Sequence, residues 1–147
     1  MKKVKLLNLS EKEKLNSLNE VRLLASVNSK YVISYKEAFI DELDQTLCIV
    51  MEYADDGDLL QKIAYHKSKH TYFRENQIWQ IFLNVVQGLH DLHEFNILHR
   101  DLKSANVFLF KNGIAKLGDL NVSKVAPRGL SCTQTGTPIY ASPEVWK

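Results

Sequence analysis

The chain has 147 residues, 45% of them hydrophobic and 24% charged, with 6 Gly and 3 Pro. That suits one domain or part of one and excludes a disordered, collagenous or low-complexity chain. Nineteen basic against 17 acidic residues leave a formal charge of +2, too small and too scattered to predict a nucleic-acid surface.

Met1 to Asn8 is basic but has no apolar core for a signal peptide, and no window reaches the roughly 18 apolar residues of a membrane span. The first helix signal is Ser10-Glu11-Lys12-Glu13, a capping box, with Leu9 before it as the apolar half of a staple. Leu15, Leu18, Val21 and Leu24 follow at helical spacing and carry the helix to about Val27. Tyr31 to Phe39 and Leu47 to Glu52 are rich in β-branched and aromatic residues. They predict two strands joined by the polar turn Asp41-Glu42-Leu43-Asp44. Asp55-Asp56-Gly57-Asp58 marks a turn and a helix start, with Leu59, Leu60 and Ile63 as the apolar face.

The strongest helix signal runs from Glu75 to Glu94. Ile78, Ile81, Phe82, Val85, Val86, Leu89 and Leu92 form a wide stripe, which predicts a mostly buried helix. Val107 to Phe110 and Ala115 to Leu117 predict a hairpin around Asn112-Gly113. From Asn121 to Lys147 the periodicity fades and a loop is expected. The pattern as a whole is α+β.

Cys48 sits in an apolar run and predicts a buried thiol, while Cys132 lies in a Ser/Thr-rich loop. Two cysteines so far apart do not make a disulfide framework, so a reducing compartment is expected. The pairs His66/His70 and His90/His93 lack the third ligand that a zinc site needs.

The chemistry concentrates in His99-Arg100-Asp101-Leu102-Lys103-Ser104-Ala105-Asn106. The segment sets a carboxylate, Asp101, and a carboxamide, Asn106, on one short loop. Asp101 can accept or orient the proton of an incoming hydroxyl. Asn106 offers a neutral oxygen of the kind that hard cations prefer. Lys103 can neutralise charge on a transferring phosphoryl group, a reaction that needs mainly positioning and charge stabilisation. Further on, Gly118-Asp119-Leu120-Asn121 follows a predicted strand and offers a second oxygen ligand in Asp119.

The eight-residue segment matches the protein-kinase catalytic loop H-R-D-L-x-x-x-N; with Lys103 counted as a sixth specified residue, the match is expected by chance at only about 10⁻⁸ per window. Gly118 to Asn121 resembles the kinase Asp-Phe-Gly motif, with Leu120 for Phe and Asn121 for Gly. Asn is among the few residues that tolerate the left-handed backbone Gly often takes there, so positive φ is expected at Asn121. Gly136 to Glu144 resembles the end of an activation segment, with Ser142-Pro143-Glu144 in the Ala-Pro-Glu position. Ser131, Thr133 and Thr135 are candidate phosphorylation sites beside Arg128, where a phosphate could pair with Arg100.

From end to end the chain resembles a eukaryotic Ser/Thr protein kinase of the NIMA-related family. The fit includes Asn19 to Ser26, Tyr35-Lys36-Glu37-Ala38-Phe39, Ile49-Val50-Met51-Glu52-Tyr53 and Gly57-Asp58-Leu59. The resemblance implies a two-lobed fold, with residues 1–53 in the small-lobe part and 54–147 in the large-lobe part. It implies transfer of the ATP γ-phosphoryl group to Ser or Thr of protein substrates. Asp101 and Lys103 would be catalytic, and Asn106 and Asp119 would hold Mg²⁺. Met51 would be the gatekeeper, and Glu52 to Ala54 the hinge against adenine. Lys2 would pair with Glu20, with Lys3 as its rival and a pair of solvated lysines as the alternative. A cytoplasmic setting follows, with centrosome and cilium as family sites; neither nucleic acid nor membrane is implied.

On this resemblance a glycine-rich loop would precede Lys2 and further helices would follow Lys147. The chain is therefore expected to be a kinase domain cut at both ends, weakly active alone, with exposed apolar surface. The alternative is a catalytically silent kinase-like module that binds nucleotide or partners.

Overall fold

Thr46–Met51 alternates little and is apolar nearly throughout, as a strand flanked on both edges should be. In the computed structural model of the chain it is the middle strand of three. The structure describes residues 1–7, 10–120, 124–125, 138–140 and 143, apart from the side chains of 13, 16, 20, 23, 24, 124, 125 and 138.

The elements are β1 (Lys2–Lys5), α1 (Glu11–Ser26), β2 (Tyr35–Asp41), β3 (Thr46–Met51), α2 (Leu59–Ser68) and α3 (Glu75–Glu94). Then come β4 (Ile97–Leu98), β5 (Val107–Leu109), β6 (Ala115–Leu117) and β7 (Lys124–Val125), with single 3₁₀ turns at Ser104–Asn106 and Pro138–Tyr140.

The first sheet has the order β1-β3-β2, antiparallel throughout. Lys2 pairs with Ile49 and Lys5 with Thr46, so the basic N-terminal segment is a strand. Residues 42–45 turn β2 into β3 as predicted, with Gln45 left-handed at φ 48°. Thr46, Leu47, Cys48 and Ile49 are all buried, and Cys48 is a free thiol.

The predicted strand from Tyr31 divides in two. Residues 31–34 leave the sheet and bond to β6: Leu117 N–H donates to Tyr31 O and Ile33 N–H donates to Leu117 O, both at 2.8 Å. Only from Tyr35 does the segment pair with β3. This switch of partner fastens the three-stranded sheet to the second half of the chain.

Helix α1 has nearly the expected bounds, but the described part of its apolar stripe is only partly covered. Leu15 and Leu18 are exposed, and Val21 is half-buried against the core. Helical spacing sets which residues share a face, but burial depends on what lies opposite. Helix α2 likewise has no buried residue, although Leu59, Leu60 and Ile63 share a face. Its start is as predicted: the Asp58 carboxylate caps it, accepting from Gln61 N–H at 2.8 Å.

Helix α3 keeps its predicted limits, Glu75 to Glu94, but it is not mostly buried. Only Asn84, Gly88 and Leu92 are fully covered, while Ile78, Trp79, Phe82, Leu83 and Val86 are exposed. Among the described residues β4 and the β5–β6 hairpin cover one side, and the stripe is wider than that cover. The expectation of exposed apolar surface is met on this helix. Buried Asn84 is satisfied, its Oδ1 accepting Ala115 N–H at 2.9 Å.

The β5–β6 hairpin forms as expected. Of the Asn-Gly pair only Gly113 is left-handed, at φ 84°. Gly113 N–H donates to Phe110 O and Phe110 N–H to Ile114 O, so the turn is a longer one closed by a left-handed glycine. Besides β1, the short strands β4 and β7 escaped the periodicity; they have two residues each and pair antiparallel.

Gly88 marks where α3 passes closest to this framework. A Cβ there would stand 2.7 Å from Tyr31 O and 3.2 Å from Leu117 Cδ1. Gly88→Ala should therefore destabilise the chain by about 1–3 kcal/mol, the usual scale of overpacking. Helix propensity alone would stabilise by about 1 kcal/mol, so the sign of the shift in a urea unfolding midpoint separates the two effects.

Candidate active site

Helix α3 ends where Phe95 N–H closes on Leu92 O and Asn96 turns left-handed at φ 57°. Asn is a common residue for that terminal position. Strand β4 then delivers His99, which is 3% exposed. Its Nε2 lies 3.0 Å from Gly118 O. A carbonyl only accepts, so Nε2 carries the proton, and Nδ1 faces Asp101 N–H at 3.4 Å as an acceptor. One buried ring thus links the start of the loop to the residue before Asp119.

Asp101, Lys103 and Asn106 close on one another. Lys103 Nζ donates to Asp101 Oδ2 at 2.7 Å. Asn106 Nδ2 donates to Asp101 O at 2.8 Å and to Asp101 Oδ2 at 3.2 Å. The 3₁₀ turn Ser104–Asn106 makes this reach possible, with Asn106 N–H bonded to Lys103 O at 2.9 Å. Because the amide nitrogen of Asn106 is engaged, its amide oxygen is the atom left for a cation. That sorting suits an oxygen-seeking metal such as Mg²⁺.

Gly118 N–H donates to Asn106 O at 3.0 Å, tying the end of β6 to the loop. The next residue, Asp119, is left-handed at φ 59°. Its Oδ1 accepts from Lys2 Nζ at 3.2 Å. Arg100 is also left-handed, at φ 66°. Non-glycine residues rarely adopt this backbone, and such strain gathers at functional sites. Asn121, expected to be left-handed, lies outside the described residues.

Lys2 and Asp119 face a cleft of about 550 Å³, also lined by Ile33, Met51, Glu52, Tyr53, Ala54 and Phe108. The cleft gathers Lys2, Met51, Glu52, Ala54 and Asp119 of the predicted site. The Glu20 side chain lies outside the described residues, and so do Ser131, Thr133, Thr135, Arg128, Ser142 and Glu144. Lys3, the rival of Lys2, also lies on β1 and pairs with Cys48 of β3. The Glu52 side chain is committed elsewhere: it accepts from Ser34 N–H at 2.7 Å and from Lys116 Nζ at 2.8 Å. Sequence reasoning missed Gly118, Ser34 and Lys116, which act through main-chain atoms or a distant partner. The one available signal was a glycine directly before Asp119.

This assembly of loop, cleft and paired oxygen donors is that of a protein kinase. A profile of the protein kinase domain matches residues 1–147, and the chain belongs to that family. It is 40% identical over 149 residues to the mouse serine/threonine-protein kinase Nek3, covering 100% of this chain and 28% of that protein. It is 42% identical over 137 residues to mouse Nek5, covering 91% of this chain and 21% of that protein. It is 38% identical over 141 residues to the probable serine/threonine-protein kinase nek2 of Dictyostelium discoideum, covering 93% and 34%. The chain thus spans about a third or less of the length of these relatives.

The electrostatics of His99 follow from its position. Burial holds its pKa below the ordinary 6.5, against the opposing pull of Gly118 O and the two aspartates. The folded ring is neutral where the unfolded ring would already bind a proton. Stability from this group is present above the ordinary histidine value and is lost as pH falls from there through the folded value. The chain should unfold at lower urea at about pH 5.5 than at about pH 7.5, and His99→Gln should flatten that dependence. Glu52 and Asp91 are displaced below their ordinary values of 4.5 and 3.8, so their protonation falls in a separate, more acidic window.

Proposed function

We propose that this chain supplies the nucleotide cleft and catalytic loop of a protein serine/threonine kinase. The reaction is transfer of the ATP γ-phosphoryl group to a Ser or Thr hydroxyl of a protein substrate. The observation that carries the reading is the interlocked set Asp101, Lys103 and Asn106, tied through Gly118 to Asp119 at the cleft. The similarity to the Nek kinases supports it.

On this reading Asp101 accepts or orients the proton of the substrate hydroxyl, and its carboxylate is steadied by Lys103 and Asn106. Lys103 would also offset charge on the transferring group. Mg²⁺, held by the Asn106 oxygen and the Asp119 carboxylate, would neutralise phosphate charge when bound. Lys2, already beside Asp119, binds phosphate oxygens, with Glu20 as the acid expected to orient it. Met51 and the strap from Glu52 to Ala54 receive the adenine. The division into a small-lobe part, 1–53, and a large-lobe part, 54–147, runs through this strap. A cytoplasmic setting belongs to the same reading, and the free buried thiol of Cys48 supports it.

The test is phosphoryl transfer from ATP to a Ser/Thr peptide in the presence of Mg²⁺. Asp101→Asn should lower turnover by about 10²-fold or more, the scale of positioned acid–base groups. Near-normal turnover would overturn the assignment. Asp119→Asn keeps the shape and removes the charge, so it should abolish most of the Mg²⁺ dependence of ATP binding, measured by titration with and without the metal. Binding without transfer in the wild-type chain would instead identify a nucleotide-binding module.

A further inference from the structure

Between the two halves of the chain runs a short strap, residues 52–58. Its far end is fastened by main chain. Asp56 N–H donates to Leu109 O at 3.1 Å, and Leu109 N–H donates to Gly57 O at 2.8 Å. Asp58 bridges to Phe108 on the same hairpin. Its near end is fastened differently. Glu52 and Ser34 exchange two hydrogen bonds, Glu52 N–H to Ser34 O at 2.9 Å and Ser34 N–H to Glu52 Oε1 at 2.7 Å.

The same carboxylate reaches across to β6. Lys116 Nζ lies 2.8 Å from both Glu52 oxygens. The pair is poorly exposed, 13% for the Lys116 side chain and 17% for that of Glu52. Lys116 also stands over the Phe110 ring at 5.0 Å. Two long side chains in solvent would gain little from such a pair. Here the ammonium is held by a bidentate carboxylate and an aromatic face, so its position is fixed.

Tyr53 and Ala54 lie between these two anchors, and both line the cleft. We propose that Lys116 is a positioning residue for the nucleotide. Through Glu52 it fixes the near end of the strap, so that the main chain at 53–54 meets the ligand without first being ordered. Lys116 does not line the cleft; it acts through Glu52. The proposal rests on the kinase reading for the identity of the ligand, and on geometry alone for the clamp.

Two measurements on the full chain test it. The first is amide hydrogen exchange, which needs no ligand. Lys116→Met should speed exchange at Ser34 and Glu52 and leave Asp56 and Leu109 unchanged, because those rest on the other anchor. Lys116→Arg keeps a charged donor and should restore the wild-type rates. Unchanged exchange at Ser34 and Glu52, or equal acceleration at all four amides, would overturn the clamp.

The second measurement is the Kd for ATP with Mg²⁺. Lys116→Met should weaken binding by about threefold to tenfold, the scale of ordering a short segment on association, and Lys116→Arg should recover most of the loss. The double variant Glu52→Gln/Lys116→Met leaves no unpaired charge and keeps the experiment interpretable where the single variant folds poorly. It should bind no more weakly than Lys116→Met. Wild-type affinity in Lys116→Met would overturn the role of Lys116 alone. A wild-type chain that binds no ATP would overturn the kinase reading and, with it, the nucleotide role.

Discussion

Two hydrogen bonds at the main chain of Gly118 hold the site together. Its carbonyl accepts the His99 ring and its N–H donates to Asn106 O. Asp101 and Asp119 lie 18 positions apart in the sequence. The β5–β6 hairpin brings the two segments side by side, and these bonds fix the loop that carries Asp101 against the strand end that carries Asp119. A glycine is needed there for space. A Cβ would stand 2.7 Å from Phe108 Cε2 and 3.0 Å from Ile33 Cγ1. The same packing that excludes a side chain sets the Asp119 carboxylate at the cleft and puts Phe108 and Ile33 in the cleft wall.

Around that junction the fold divides its tasks between two kinds of contact. Apolar burial joins α3 to the hairpin and fills the face of the first sheet, through Leu92, Ile97, Leu117, Leu120 and Ile49. This attraction is strong but has little direction. Direction comes from buried or half-buried polar pairs: His99 with Gly118, Lys103 with Asp101, Lys116 with Glu52. A polar group in such a place is costly if unmatched, so each pair restricts the chain to one arrangement.

Much of this is legible in the sequence. The catalytic loop could be read because its functional groups fall within one contiguous segment, His99 to Asn106, whose spacing already carries the chemistry. The limits of α3 could be read because its apolar recurrence is long. What failed was the inference from periodicity to burial. Ile78 and Phe82 sit on a correctly predicted face of α3 yet remain exposed, since a face is a local property and its cover is not. Strands β4 and β7 have two residues each, too few to show any period. Lys116 and Glu52 are 64 positions apart, and no local pattern joins them. The left-handed backbone at Arg100 was also hidden, because arginine does not mark such a position, and at Asp119 the residue type permits that backbone without requiring it.

The left-handed turn at Asp119 has a consequence for how mutational scans of this loop are interpreted. Aspartate and asparagine tolerate that backbone better than most residues do, while alanine meets the full steric penalty. An alanine scan would therefore record two losses at Asp119, one of charge and one of conformation, and attribute both to chemistry. At Arg100 the native residue already carries the penalty, so replacement by glycine would relieve strain while deleting a cation. The two positions would then err in opposite directions in the same data set. Ranking residues of this loop by the size of an alanine effect would overstate Asp119 and, with glycine as the probe, understate Arg100.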